Sequence, residues 1–108
     1  MKNLECSDGF TNDDGNSELE TMLGYAELFL DRARSSISIE EFRIYIRNIS
    51  EDVSTLTNAA AASRISVAVA TIKQCDYVFR KHPNMKDSVI LPTIENLVEA
   101  IRKESRAA

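Results

Sequence analysis

The side chains that could act as nucleophiles, general bases or metal ligands are few in this chain and far apart. His82 is the only histidine and stands directly before Pro83, and the two cysteines are Cys6 and Cys75. A structural zinc site needs several cysteine or histidine ligands at set spacings, and thiol catalysis needs a histidine or a helix N-terminus beside the cysteine. The sequence therefore predicts no metal and no catalytic residue, and we expect Cys75 to be a small core residue.

Acidic residues recur on the helical segments, for example Glu95 with Glu99, but no set of partners surrounds them. A di-iron bundle needs Glu-x-x-His motifs, which the chain lacks. Residues 12–15, Asn-Asp-Asp-Gly, are similar to part of a calcium loop, but alignment on the glycine places Thr21 where a bidentate glutamate is required. No glycine-rich phosphate loop is present. We therefore expect solvated acidic side chains, no cofactor and no enzyme activity.

Basic residues of the third predicted helix form the candidate binding site. They are Arg64, Lys73, Arg80 and Lys81. We predict that they occupy one side of that helix and that His82 and Lys86 continue the surface. Such a surface suits an acidic protein partner or a phosphate backbone, and it is also what the ordinary solvent side of a helix looks like. Arg43 and Arg47, one turn apart on the preceding helix, form a second and less specific pair.

Small residues form a block at Ala59–Ala62, which Ala68 and Ala70 extend. Small side chains allow two helices to approach closely, either inside the bundle or across the interface of a homodimer. Gly24 in the first helix costs about 1 kcal/mol relative to alanine. We expect this glycine to mark another close approach between helices.

Histidine phosphotransfer domains are helical bundles of similar size with a recognisable motif. Those domains present an exposed histidine in the middle of a helix, followed by lysine and glycine. The comparable stretch, residues 54–59, has Ser54 at the histidine position and lacks the Lys-Gly pair. Phosphoryl transfer is thereby excluded on sequence grounds. A degenerate, phosphotransfer-like bundle that binds a signalling partner stays open as an alternative, by analogy of fold only.

The helices that must position these residues can be read from caps and from apolar spacing. Each predicted helix start carries a serine or asparagine able to bond the first free N–H groups. The caps are Ser17 with Glu20 for helix 1, Ser38 with Glu41 for helix 2, and Thr57 or Asn58 for helix 3. Ile37 and Phe42 are placed to form a hydrophobic staple around the second cap.

The third and fourth helices follow from a change in phase and from the two prolines. The apolar stripe that begins at Phe42 loses register after Leu56, which predicts a break between residues 57 and 61. Helix 3 ends at the basic residues before Pro83, and we expect it to be the most buried helix. Pro92 either lies in the first turn of helix 4 or kinks that helix. We expect helix 4 to fray from Glu104 onward.

Together these signals predict an all-α fold, an up-and-down antiparallel four-helix bundle over residues 17–105. Residues 1–16 are expected to be a disordered acidic tail, because they contain few large apolar side chains. Residues 1–20 carry a net charge of −5 and the remainder +1. Neither value suggests strong attraction to nucleic acid or to a membrane. No secretory signal pattern follows Met1, so the cytoplasm is the expected location.

These observations favour a non-catalytic helical module that binds another protein as a regulator, inhibitor, chaperone or assembly subunit. A nucleic-acid-associated factor that uses the basic side of helix 3 is the first alternative, and the degenerate phosphotransfer-like bundle is the second. An enzyme whose site forms only between subunits is a third. Homodimerisation through small-residue faces is compatible with each of these.

Overall fold

The computed structural model describes the backbone of residues 10–107 and the side chains of residues 17–107. Within this part of the chain there are four α-helices and no strand. They are α1 (Phe10–Ser35), α2 (Ile39–Ser54), α3 (Ala59–Lys81) and α4 (Leu91–Ala107). A 3-10 turn (Pro83–Met85) and a π-helical turn (Lys86–Ile90) connect α3 to α4. None of the described helices has both the length and the apolar character of a membrane span.

The four helices pack as an up-and-down bundle, which confirms the predicted all-α architecture. α2 packs between α1 and α3, while α4 packs against both α3 and α1. Pairing between helices shows the antiparallel order. Arg32 contacts Glu41 near one end of α1 and α2, and Tyr25, earlier in α1, contacts Asn48, later in α2.

The core consists of one apolar stripe from each helix, and every fully buried side chain among the described residues is apolar. Its centre is aromatic. The ring of Phe29 stacks on Tyr45 at 4.9 Å between centroids, and Phe42 meets Phe79 edge to face at 5.1 Å. Complete burial of such a side chain stabilises the fold by about 1.5–3 kcal/mol. These contacts join α1, α2 and α3 at one level of the bundle.

The predicted start of α2 is confirmed, with one difference. The Ser38 hydroxyl accepts a hydrogen bond from the Glu41 N–H at 3.1 Å, and Ile37 and Phe42 are both buried. The Glu41 carboxylate does not complete a capping box, because it accepts two hydrogen bonds from Arg32 of α1. An interhelical ion pair therefore replaces the reciprocal cap.

The predicted break between helices 2 and 3 is also confirmed. Asn58 is the N-cap of α3, and its side-chain oxygen accepts a hydrogen bond from the Ala61 N–H at 3.1 Å. Thr57, the other residue predicted as the cap, forms its hydrogen bonds with α1 instead. Its N–H and its hydroxyl both donate to the Glu18 carboxylate of α1, at 3.1 and 3.0 Å. This contact fastens the α2–α3 turn to the first helix.

The start predicted for helix 1 is wrong, because α1 begins at Phe10 and Ser17 lies inside it. The extension contains acidic residues and no basic one, which suits the positive N-terminal end of a helix dipole. The proposed tail lies in part outside the described residues, which exclude 1–9 altogether. Its disorder stays a prediction there.

Three further expectations fail on the geometry of the bundle. A Cβ atom built on Gly24 would meet nothing within 4 Å, so this glycine marks no close helix approach. α3 is not the most buried helix, because its outer side carries Val67 and Tyr77, which are 69% and 58% exposed. α4 continues to Ala107, beyond the predicted fraying point at Glu104, and the Glu104 carboxylate binds Arg64 of α3. Pro92 lies in the first turn of α4, as predicted.

Candidate functional site

The four basic residues predicted to share one side of α3 do not all do so in the structure. Arg64 and Lys73 are nine residues apart, about two and a half helical turns, so they lie on opposite sides of the helix. Arg64 turns towards α4 and forms two hydrogen bonds with Glu104, at 2.6 and 2.8 Å. Lys73 lines a groove against α2 instead. The prediction that all four residues share one side of α3 is therefore wrong for Arg64.

Of the remaining members, Arg80 is seven residues, about two helical turns, from Lys73 and therefore shares its side of α3. Arg80 lies with its guanidinium carbon 5.9 Å from the centroid of the Tyr77 ring, a cation–π contact within one turn. Lys81 is exposed and is the last residue of α3. The N–H of His82 donates to the carbonyl of Val78 at 2.7 Å, so His82 ends the helix.

A groove between α2 and α3 brings Lys73 together with the other pair that the sequence singled out, Arg43 and Arg47. Two hollows of about 510 and 610 Å³ lie along it, and both include Ser50 and Lys73 in their walls. We call their union the α2–α3 groove. It begins beside Leu56, at the turn between the helices, and continues to Asp76, which is more than four turns of α3 further along.

In the hollow nearer the α2–α3 turn, most of the wall is made of small side chains. They are Ser50, Ser54, Ala59, Ala62, Ser63, Ser66 and Ala70. Two of the hydroxyls are satisfied inside their own helices, because Ser66 donates to the Ala62 carbonyl and Ser54 to the Glu51 carbonyl, both at 2.7 Å. Val53 and Val69 line the same hollow from the core side. The wall of this hollow thus consists mainly of alanine and serine side chains above two core valines, and their small size leaves open space between the helices.

Charged residues gather at the end of the groove far from the α2–α3 turn. The Arg43 guanidinium donates two hydrogen bonds to Asp76, at 2.6 and 3.2 Å, and this contact lowers the pKa of the Asp76 carboxyl. Arg47 and Lys73 line the same hollow and form no hydrogen bond or ion pair with any other described residue. The carboxylate of Glu51 also lines this hollow, so that its three cations face two acidic side chains, and Arg47 and Lys73 are the two cations without an ion pair to a described residue.

The groove does not resemble a catalytic site. In the part of the chain that the structure describes, no three histidine, cysteine, aspartate or glutamate residues come together as a metal site. Cys75 is a free thiol that is buried in the core, as predicted. The lining offers serine hydroxyls and cations without a histidine beside them. Its lining offers apolar contact and positive charge.

The stretch compared with phosphotransfer domains does not lie in the middle of a helix. Ser54 is the last residue of α2, and residues 55–58 form the turn before α3. The exposed mid-helix position that a phosphotransfer surface requires is therefore not at Ser54. The analogy gains no support from this part of the fold.

Sequence reasoning missed the groove because it treated each helix alone. The signal was present in two places. Arg43 and Arg47 mark one side of α2, and small residues recur at three- and four-residue steps from Ala59 to Ala70. Only the antiparallel pairing of the two helices places these patterns side by side.

The chain matches no protein-family model, no curated protein and no solved structure.

Proposed function

We propose that the chain is a non-catalytic helical module that acts in the cytoplasm by binding another protein, and that the α2–α3 groove receives a helix of that partner. The observation that carries the proposal is the pairing of a long wall of small side chains with two unpaired cations at one end. Regulators, inhibitors, chaperones and assembly subunits all work through such surfaces.

A helix is the partner element that fits the shape of this groove. Small side chains on two neighbouring helices let a third helix sit close to both backbones, as in helix-in-groove recognition. The groove runs along α3 from Ala59 to Asp76, about 25 Å at 1.5 Å per residue. That length accommodates four to five turns of a bound helix.

The charge at the end of the groove defines the chemistry of the partner. Arg47 and Lys73 lie beside apolar surface and have no anionic partner among the described residues. Aspartate or glutamate on the bound helix would complete charge-assisted hydrogen bonds there. We therefore expect an amphipathic partner helix with a small or apolar stripe and an acidic residue near one end.

Binding of nucleic acid would require a continuous basic surface on α3, and one residue predicted for that surface, Arg64, does not belong to it. Arg64 is neutralised by Glu104 and lies on the side of α3 away from Lys73. Phosphate-backbone binding depends on many cations acting together. The groove offers two unpaired ones. Salt dependence of binding separates the two functions, because backbone binding to nucleic acid weakens steeply with salt.

Affinity purification with matched variants tests the proposal. The tagged chain, its Arg47→Glu/Lys73→Glu variant and a Lys103→Glu control are used as baits in extracts of the native source. Lys103 is exposed on α4 and lies outside the groove. We expect the control to recover the same partner as the wild type. The double variant should recover at least about tenfold less of it, because the two new glutamates would repel the acidic residue expected on the partner helix. Equal recovery by a folded double variant would refute the proposal.

A further inference from the structure

The side of α3 that faces away from the core has an unusual composition for a solvated helix. Its midline follows three- and four-residue steps. It consists of Ala60, Ser63, Val67, Ala70, Gln74 and Tyr77, all of them exposed. We call these six residues the outer face of α3. They form a heptad-like stripe without a charged residue, whereas the exposed side of α4 carries Glu95, Glu99, Lys103 and Arg106.

Two large apolar groups lie on the outer face, and both are more than half exposed, although the Arg80 guanidinium lies 5.9 Å from the centroid of the Tyr77 ring. Val67 is 69% exposed and Tyr77 58% exposed, the highest values among the large apolar side chains described. Removing this area from water would be favourable, at about 25 cal/mol per Å². Continuous stripes of this kind mark places where another surface packs.

We infer that the outer face of α3 binds the same face of a second copy of the chain, with the two α3 helices antiparallel. The stripe is symmetrical about the midpoint between Val67 and Ala70, so a two-fold axis there pairs each position with another position of the stripe. Tyr77 then packs on Ala60, Gln74 on Ser63, and Val67 on Ala70. Every large side chain meets a small one, as close helix packing requires.

Charge complementarity supports the same arrangement. The axis that pairs Tyr77 with Ala60 places Arg80 and Lys81 beside the partner's α2–α3 turn. At that turn the Glu18 carboxylate is held against Thr57 by two hydrogen bonds. Basic residues at the end of each α3 thus approach an acidic residue of the other copy. A parallel arrangement would instead bring Lys81 against Lys81, and Tyr77 against Tyr77.

The size of the face sets the strength of the association. From Ala60 to Lys81 the helix is about 33 Å long, and a strip about 10 Å wide covers roughly 330 Å² on each copy. Stable interfaces bury about 800 Å² per partner. The dimer is therefore weak and depends on concentration. Two of the six outer-face residues, Ser63 and Ala70, also line the α2–α3 groove, but Val67 and Tyr77 do not. A substitution at Val67 therefore tests the dimer without changing a residue of the groove.

Sedimentation equilibrium of the full chain, from about 10 µM to about 1 mM, tests the inference in the range expected for a small interface. The mean mass should rise from that of one chain towards that of two. Val67→Glu should abolish the rise. Leu28→Glu, which changes a 48% exposed apolar residue of α1, is the matched control and should leave it unchanged. A monomer throughout the range, or a Val67→Glu variant that dimerises like the wild type, would overturn the inference.

Single cysteines test the direction of the helices. In a Cys6→Ser background, Ala60→Cys and Tyr77→Cys chains are mixed and oxidised. The antiparallel dimer predicts a crosslink between the two different chains, and a parallel dimer predicts Ala60→Cys crosslinked to itself, which would refute the proposed symmetry.

A charge-reversal experiment tests the proposed contact between Lys81 of one copy and Glu18 of the other. Lys81→Glu should weaken association, and Glu18→Lys in the same chain should restore it. Failure of the rescue in a folded double variant would contradict the proposed contact with Glu18.

Discussion

Arg43 of α2 and Asp76 of α3 form a bidentate ion pair, with the shorter N–O distance at 2.6 Å. The pair joins the two helices at one end of the α2–α3 groove, beside the unpaired Arg47 and Lys73. It therefore has two consequences. It links α2 to α3 at this level, and it leaves Arg47 and Lys73 as the cations of the groove that form no ion pair with a described residue.

The ion pair predicts a dependence of stability on pH. Hydrogen bonding by Arg43 lowers the pKa of the Asp76 carboxyl in the folded chain. A lowered pKa means that the pair contributes stability at pH values above the unfolded pKa, about 4. That contribution is lost as the pH falls through the lower folded value. The contribution is small, because the Asp76 side chain is 30% exposed.

Asp76→Asn should therefore be less stable than the wild type at pH 7 and should lose this deficit below about pH 4. Urea unfolding at a series of pH values measures the difference between the two chains. Glu41, Glu99 and Glu104 also have lowered pKa values and are common to both chains. Their effect cancels in the difference. A deficit that is constant between pH 7 and pH 3 would show that the Asp76 charge is not involved.

Gly24 is a position at which a single substitution should increase the stability of the chain. It lies inside α1, is exposed, and has room for a Cβ atom. Replacement by alanine should stabilise the chain by about 0.5–1 kcal/mol, because glycine is a poor helix former and because the unfolded chain loses freedom. Thermal unfolding should show the gain as a higher midpoint. A lower midpoint would mean that α1 makes a contact at this position.

Ser38→Ala tests the cap of α2. Removal of the hydroxyl that accepts the Glu41 N–H should cost about 1 kcal/mol. Ser36→Ala is the control, since Ser36 lies between α1 and α2 and its hydroxyl makes no hydrogen bond with a described residue. Urea midpoints of the two variants should differ. Equal midpoints would place the stabilising contact at this helix start elsewhere.

Phe29→Ala tests the aromatic centre of the core. Its ring contacts both Tyr45 and Phe42, and it has no exposed surface. We expect a loss of about 3–5 kcal/mol, the range for phenylalanine truncation in a close-packed core. The neighbouring Leu28→Ala should change stability by less than about 0.5 kcal/mol, since Leu28 faces solvent. Similar losses in both variants would contradict the assignment of the inner side of α1.

The bundle itself could be predicted from the sequence because its determinants are local. The cap at Ser38, the break near Asn58 and the apolar stripes all act within a few residues, and the structure confirms each of them. The start of α1 could not be predicted in the same way. A serine that matches a capping pattern can also stand inside a helix, as Ser17 does.

The candidate site was predicted only in fragments, since it depends on which helices become neighbours. Lys73 was grouped with Arg64, which the bundle places on the opposite side of α3. The cations that share a hollow with Lys73 are on α2, and they are Arg43 and Arg47. Periodicity gives the phase of each helix, whereas the rotation of one helix against another depends on side-chain packing between them.

Site-specific photocrosslinking tests the proposed binding groove most directly. A photoreactive amino acid is placed at Ser66, in the wall of the groove, or at Lys103, on the exposed side of α4, and each chain is irradiated in the native cells. We predict an adduct at position 66 that contains peptides of a second protein and disappears when Arg47→Glu and Lys73→Glu are added. Position 103 should give no such adduct. The same second protein crosslinked equally at both positions, or no adduct at position 66, would contradict the account.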